Sequence, residues 1–325
     1  MGVDILPEII SLNGDIWQID LEDCGIPGRS AGYFIRGGDH WMLVETGPAS
    51  SLSRILEAAK TLGIDSSSVK YIAVTHIHLD HAGGVGVLAR HFQDAGIVVH
   101  EKGARHIIDP TKLIAGATIA WGEKMMRMFG DVLPVAGDRV IPAAEGDLIR
   151  LGDRVIEIWD TPGHAKHHLC YYDRRTKGLF SGDAAGIYMP RLSQKLNRPA
   201  IRPATPVPDF DAPKMFNTLF RIAISEIGRI YFTHFGMAEA PQTIIEMLTG
   251  QLTVQLELAK KYINQPDAQL SLQNAMVKQT KKGLLEQFGE FLADDKRIQD
   301  EWDFMTGIMH LSVAGIVDYL KRKEA

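Results

Sequence analysis

Seven side chains of metal-ligating type stand at intervals that chemistry can use. Four fall within the run Thr75-His76-Ile77-His78-Leu79-Asp80-His81. Alternate residues of an extended segment point the same way, so His76 and His78 can share one cation. Asp80 and His81 follow as the chain turns, and can face a second. Imidazole together with carboxylate suits zinc and iron. The other three are His164, Asp183 and His234, in Thr161-Pro162-Gly163-His164, Ser181-Gly182-Asp183 and Thr233-His234. Each follows a predicted strand, and loops beyond strand ends are where α/β sheets place ligand groups. One such histidine alone would more often be structural. Four such loops in one chain point to a metal site. Two adjacent cations deprotonate a water held between them and polarise a scissile carbonyl or phosphoryl oxygen, so the chemistry implied is hydrolysis. Asp80 then has two candidate roles, ligand and catalytic proton shuttle.

The elements that must position these residues are short strands with helices between them. Ile16–Leu21 alternates, and Tyr33-Phe34-Ile35 and Trp41-Met42-Leu43-Val44 flank Gly37-Gly38-Asp39, a hairpin signal. Leu52, Ile55, Leu56 and Ala59 have helical spacing and end at Gly63, which fits a C-terminal cap. Tyr71–Val74 and Ile97–Val99 read as buried strands, with a helix from about Ala82 to Phe92 between them. Residues 103–133 interrupt this rhythm. The stretch Ile114–Phe129 reads as an amphipathic helix, with an adaptable apolar cover over a site as its functional alternative. Strands resume at Val155–Trp159, Leu169–Tyr172 and Leu179-Phe180. Met189–Pro213 holds six of the fifteen prolines and reads as a long irregular loop, within a Pro-rich stretch 186–213. A helical face follows over Phe216–Ile227, then a last strand at Ile230-Tyr231-Phe232. Beyond about residue 237 the pattern is helical, near 240–263, 272–292 and 297–322, with turns at Gln265-Pro266-Asp267 and Ala293-Asp294-Asp295. Trp302, Met305, Met309, Val313, Ile316 and Leu320 line one face of the last segment. The expected organisation is a domain over 1–236, with a helical insertion at about 103–135, and a helical extension over 237–325.

Bulk properties narrow the classes. The 325 residues are 45% hydrophobic and 23% charged, with a net charge of −5, all within the globular range. An acidic chain is a poor non-specific nucleic-acid binder. Its one basic run, Lys321-Arg322-Lys323, fits a helix C-terminus. Cys24 and Cys170 form no metal or redox motif. The first residues lack a basic region followed by an apolar core, and no stretch reaches the ~18 apolar residues of a membrane span. The expectation is a cytoplasmic protein acting on a small molecule, with no nucleic-acid or membrane partner.

The motifs Thr75–Gly84, Thr161–His164, Ser181–Asp183 and Thr233-His234, in this order, resemble those of the metallo-β-lactamase superfamily. The resemblance covers about residues 10–236. It implies an αββα sandwich, followed here by an all-helical C-terminal appendage. It also implies two divalent ions, zinc first, with iron or manganese compatible. His76, His78 and His164 would bind one ion, Asp80, His81 and His234 the other, and Asp183 would bridge them. One departure is Glu45-Thr46-Gly47, where the family usually has Asp before Thr-Gly. The longer carboxylate can still orient a ligand.

The same resemblance narrows the branch. The flavodiiron branch usually has Glu at the position of His78, so histidine favours hydrolysis over oxygen reduction. Thr161–His168 is similar to the TPGHTxGH pattern of the glyoxalase II and lactonase branches, and His168 takes the place of its second histidine. His168 is thus a candidate catalytic residue, with a role behind the metal ligands as the alternative. Acyl-homoserine lactonases carry a tyrosine three residues after the bridging aspartate. Here that position is Gly186 and the nearest tyrosine, Tyr188, is the candidate oxyanion donor. A glutathione-binding Lys/Tyr set and β-CASP nuclease motifs are absent. The C-terminal helices resemble appendages of glyoxalase II-like enzymes and of a quinolone-pathway thioesterase, where they wall the substrate pocket. Apolar walls imply a substrate with an apolar portion; a homodimer contact is the alternative use of these helices. The leading function is therefore hydrolysis of a thioester, ester or lactone, with phosphodiesters and phosphotriesters also within reach of two metals. A mononuclear-iron oxygenase of the persulfide dioxygenase type is the competing enzyme, disfavoured by the retention of Asp80, His81 and His234. A non-catalytic metal-binding protein is the third reading.

Overall fold

Apolar strands separated by tight turns build two sheets in the first part of the chain, and helices dominate the last. A computed structural model describes residues 9–12, 15–288, 299–300, 302–303, 307 and 309–324. The opening segment, Met305 and the turn at Ala293-Asp294-Asp295 lie outside the described residues. Two compact units are formed, both discontinuous in sequence. Unit 1 comprises 1–160, 167–182 and 227–236; unit 2 comprises 161–166, 183–226 and 237–325. The last change of unit falls at residue 236, and residues 161–166 and 183–226 also belong to the unit that holds the C-terminal helices.

In unit 1 the first sheet has the order β1 (Ile9–Leu12), β2 (Ile16–Asp20), β3 (Ala31–Gly37), β4 (His40–Val44), β5 (Val69–Ala73), β6 (Gly96–His100), β7 (Val140–Ala143). Strands β1 to β4 pair antiparallel and β4 to β7 parallel. The hairpin between β3 and β4 turns through Gly38 and Asp39, with Gly37 opposite His40. Gly38 has φ +60°, which a two-residue hairpin turn demands. Parallel pairing needs crossovers, and helices lie in each of them. Helix α1 (Leu52–Thr61) joins β4 to β5, and α2 (Leu79–Ala82) and α3 (Val85–His91) join β5 to β6. The predicted single helix from Ala82 thus begins three residues earlier and is broken at Gly83-Gly84. The apolar side chains of these elements form one core, including Phe34, Leu43, Ile55, Ile72, Leu88 and Ile97. Helix α4 (Glu101–Ile108) adds Ile107 to it.

The second sheet of unit 1 runs β14 (Arg229–Tyr231), β11 (Gly178–Phe180), β10 (Leu169–Asp173), β9 (Arg154–Asp160), β8 (Leu148–Leu151). Strands β7 and β8 have no counterpart in the sequence reading. Buried polar groups tie the two sheets together. The Tyr33 hydroxyl donates to the Phe232 carbonyl at 2.6 Å, and the Tyr171 hydroxyl to the Val74 carbonyl at 2.7 Å. Arg154 is fully buried; it pairs with Asp173 at 2.6 Å and donates to the Arg36 carbonyl at 3.0 Å. Tyr33, Phe180 and Tyr231 pack ring to ring at 4.6–5.7 Å. The mixed α/β sandwich with additional C-terminal helices is therefore present.

The segment 111–129 refines an expectation. Helix α5 (Thr111–Phe129) is interrupted at Gly122, whose φ is +78°, and only Phe129 is buried in it. Ile119 is 88% exposed. Its half-buried residues before the break, Leu113, Ile114, Ala117, Thr118 and Trp121, share one face, as an amphipathic helix requires.

Unit 2 corrects another. The Pro-rich stretch 186–213 is not irregular throughout. It contains a ribbon of β12 (Ile187–Tyr188) and β13 (Ile201–Arg202), and helix α6 (Pro190–Leu196) with proline in its first turn. Helix α7 (Ala212–Ile224) follows, capped by the Asp211 carboxylate, which accepts from Lys214 N–H. Strand β15 (Met237–Glu239) precedes α8 (Pro241–Tyr262), α9 (Ala268–Phe288) and α10 (Met309–Glu324). The irregular parts are held by α10: Arg202 donates to Ser312 Oγ at 2.9 Å, Thr205 Oγ1 to the Ser312 carbonyl at 3.0 Å, and Arg322 to the Phe210 carbonyl at 2.9 Å. No described helix is long and apolar enough to cross a membrane.

Candidate metal centre

Strand β5 ends at Ala73, the chain bends at Thr75 and His76, and His78, the residue that precedes α2, is extended (φ −60°, ψ 148°). This backbone puts His76 and His78 side by side, with His76 Nε2 2.8 Å from His78 Nδ1. The other ring nitrogen of His76 is 3.1 Å from the Thr75 hydroxyl. Thr75 thus sets which face of the imidazole turns toward His78. Asp80 and His81 then ride on α2. The first pair is thus brought together across a bend, and the second pair by a helical turn.

His81 is fully buried and its two nitrogens are addressed differently. Nδ1 lies 3.4 Å from Glu45 Oε2, while Nε2 lies 3.7 Å from Asp80 Oδ2. His234 Nε2 is also 3.7 Å from Asp80 Oδ2. Asp80, His81 and His234 each offer one ligand atom within 4.8 Å of the others. Two ligands of one tetrahedral zinc, each at about 2.0–2.1 Å, stand about 3.3 Å apart, so this spacing fits a shared divalent ion. A carboxylate beside Nδ1 favours the tautomer that presents the Nε2 lone pair on the Asp80 side.

Glu45 does more than face His81. Its Oε1 accepts from Thr75 N–H at 3.2 Å and from Thr233 Oγ1 at 3.3 Å. The next residue, Thr46, donates its hydroxyl to the His81 carbonyl at 2.8 Å. One carboxylate therefore fastens the loop before His76, the ring of His81 and the residue before His234. The departure from the family's usual aspartate keeps the orienting role.

His168 directly precedes β10, is fully buried, and stacks on His76 with ring centroids 5.0 Å apart and planes 28° apart. Gly182, at φ +50°, lies against it: a Cβ there would sit 2.6 Å from His168 Nε2 and 2.5 Å from Thr75 Oγ1. This contact is why the Ser-Gly-Asp motif needs its glycine. His167, which the sequence reading passed over, is also buried, and its ring lies 5.9 Å from that of His78. Asp23 was passed over as well. It is buried and paired with Arg29 at 3.2 Å. Burial raises its carboxyl above the usual range, with Arg29 opposing and the charge of Asp80 adding to the rise. Beside it, burial and the charge of Asp23 push the Cys24 thiol up to about 12, so it is no nucleophile at neutral pH. No local pattern marks Asp23, because its place beside Asp80 arises only from the folded chain.

Unit 2 carries His164, Asp183 and Tyr188. His164 Nδ1 is 3.0 Å from the Ala204 carbonyl, which leaves Nε2 to face Asp183 Oδ2 at 3.4 Å. Gly163 before it has φ +138°, and a side chain there would collide with the Met215 backbone. Buried Arg202 is depressed to about 10 by desolvation, with the nearby charge of Asp183 opposing the shift. Tyr188 is half-buried on β12, opposite Ile201. Unit 1 thus carries a histidine–carboxylate grouping able to hold a divalent metal, the donor chemistry of a hydrolase-type enzyme.

The profile of the metallo-beta-lactamase superfamily matches residues 25–234. An acyl-coenzyme A thioesterase of Gallus gallus is 31% identical over 164 residues, 46% of this chain and 56% of its own length. A hydroxyacylglutathione hydrolase of Methylobacterium sp. (strain 4-46) is 33% identical over 124 residues, 38% of this chain and 37% of its own length. The chain thus spans little more than half of the first relative. Among solved structures, a metallo-beta-lactamase family protein from Thermus thermophilus aligns with a TM-score of 0.62 at 20% identity, over 91% of this chain and 89% of its own. A superfamily protein from Sulfolobus tokodaii gives 0.60 at 24%, over 74% and 86%. Motif order, sandwich and profile agree, and the chain belongs to the metallo-beta-lactamase superfamily.

Proposed function

We propose that this protein is a dinuclear metal-dependent hydrolase of thioesters, with esters and lactones as related substrates. The observation that carries the reading is the convergence of Asp80, His81 and His234, with Glu45 holding His81 from behind. In this reading His76, His78, Asp80, His81, His164, Asp183 and His234 would hold two divalent ions. Ions held there would activate water as a nucleophile and polarise the scissile carbonyl. The chain's own groups do the rest. Glu45 keeps His81 in the ligating tautomer, and His168 holds the ring plane of His76. A carboxylate oxygen of Asp80 takes the proton that the nucleophile sheds. The Tyr188 hydroxyl donates to the developing oxyanion. The thioester preference draws support from the acyl-coenzyme A thioesterase and the hydroxyacylglutathione hydrolase among the relatives.

The test is a panel of thioesters, lactones and phosphodiesters assayed with protein of defined zinc, iron or manganese content, alongside Asp80→Asn. Thioester turnover that needs metal, lost in the variant, is the expected result. A flat response across the panel would refute the hydrolase reading. Oxygen uptake with iron, without hydrolysis with zinc, would replace it by the oxygenase. An Asp80→Asn enzyme that keeps both metal and activity removes the proton role.

A further inference from the structure

Helices α6, α8, α9 and α10 and strand β13 of unit 2 surround a cavity of about 490 Å³. That volume lies within the usual span for small-molecule sites, roughly 300–1,000 Å³. Its apolar wall includes Met189, Leu192, Met247, Val254, Met276 and Met309. Methionine is unbranched and changes shape cheaply, so a wall with four of them follows a flexible ligand better than a rigid one. Charge on the wall is biased to one sign, Arg198 and Arg202 against Glu246. Arg202 is only 6% exposed; it donates to Ser312 Oγ at 2.9 Å, while its Nε makes no hydrogen bond among the described residues. A buried guanidinium with donor capacity to spare favours an anionic or carbonyl-bearing ligand.

The Arg202 side of the cavity adjoins the Asp183 loop. Gly186 N–H donates to the Asp183 carbonyl at 3.0 Å, and a Cβ on Gly186 would sit 2.5 Å from the Arg202 carbonyl oxygen. The loop that carries a candidate metal ligand is thus packed against the cavity wall. A ligand with an apolar tail and an acyl head would lay the tail along the methionines and present the head on the arginine side.

We propose that this cavity is a binding site for the chain of a linear acyl group, held as the free carboxylate or as its thioester. The inference rests on the hydrolase reading for what the site serves, and on unit 2 alone for the binding.

Isothermal titration of the metal-free full-length protein with acetate, octanoate and dodecanoate tests it. Expected is saturable binding that strengthens with length, by up to about fourfold for each methylene that is buried. Gly250 supplies the control. It lines the cavity from within α8, and a Cβ there meets nothing within 4 Å. Gly250→Leu fills space with apolar atoms and replaces a poor helix former by a good one, so the fold is not put at risk. It should weaken dodecanoate binding at least about tenfold, the equivalent of two displaced methylenes, without lowering the melting temperature. Absence of dodecanoate binding by the wild type would overturn the proposal, and so would a Gly250→Leu variant that binds it equally well. Because no metal is present, binding without any thioester turnover in the panel refutes only the hydrolase reading. Turnover without binding refutes only the cavity assignment. If both hold, octanoyl and dodecanoyl thioesters should outrun the acetyl thioester in kcat/KM, and Gly250→Leu should shrink that ratio.

Discussion

Replacing Glu45 by glutamine isolates the orienting role of one carboxylate. The side chains have nearly the same shape, and both are equally strained by the backbone φ of +66° at this position, so the conformational cost cancels. Gln Oε1 can still accept from Thr75 N–H and Thr233 Oγ1, the contacts Glu45 makes at 3.2 and 3.3 Å. What changes is the atom 3.4 Å from His81 Nδ1: an acceptor becomes an amide donor. Two N–H groups then face each other unless the imidazole moves its proton to Nε2, the nitrogen turned toward Asp80. Either outcome weakens ligation by His81. Loss of such an outer partner typically costs 10–100-fold in metal affinity, about 1.4–2.7 kcal/mol. Glu45→Ala would be a poorer probe, because it also strands a buried Thr75 N–H at about 1–3 kcal/mol. The assay is competition against a chelator of known affinity, with metal content per chain and melting temperature measured on the same samples. One ion should weaken by 10–100-fold while the apo-protein melts near the wild-type temperature. Two ions held with wild-type affinity in Glu45→Gln would refute the reasoning.

Two further expectations follow from buried groups. Burial alone would raise the Asp173 carboxyl, but hydrogen bonds and charge from Arg154, with help from Thr176 and Arg175, hold it below the usual 3.8. Its contribution is therefore complete above the unfolded value and is lost as pH falls through the folded one. Asp173→Asn should cost about 3–5 kcal/mol at neutral pH by stranding the Arg154 charge, and should flatten the loss of stability on acidification below about pH 4; urea midpoints that shift in parallel with the wild type across that range would count against this. Gly182→Ala places a methyl against Thr75 Oγ1 and His168 Nε2 on a left-handed backbone that costs about 1–3 kcal/mol. It should lower both the urea midpoint and metal affinity, the latter by disturbing the ring stacked on His76, and unchanged values of both would dismiss the packing argument.

Candidate ligands were legible in the sequence because their motifs are local. A strand end, a sharp turn and a histidine or aspartate occupy a few consecutive residues, and His76, His78, Asp80, His81, His164, Asp183 and His234 all follow that grammar. The hairpin at Gly38 and the crossover helices were legible for the same reason. Segments organised from a distance were not. Strands β7 and β8 are four residues each, too short for alternation to show. The Pro-rich stretch reads as irregular on its own and acquires order from α10, through contacts to Ser312 that span 107 and 110 residues. The helical spacing over Ile114–Phe129 was legible, but not the break at Gly122. Orientation of the ligands is the sharpest case. Glu45 stands out in the sequence only as a mismatch to a familiar motif, and nothing near it names its partners. Its reach to Thr233 crosses 188 residues and its reach to His81 crosses strand β5. A carboxylate one methylene longer than the usual aspartate makes both contacts at once, from a backbone with φ +66°. The chemistry of this centre is written in short motifs, whereas the tautomer that lets His81 take part depends on tertiary structure.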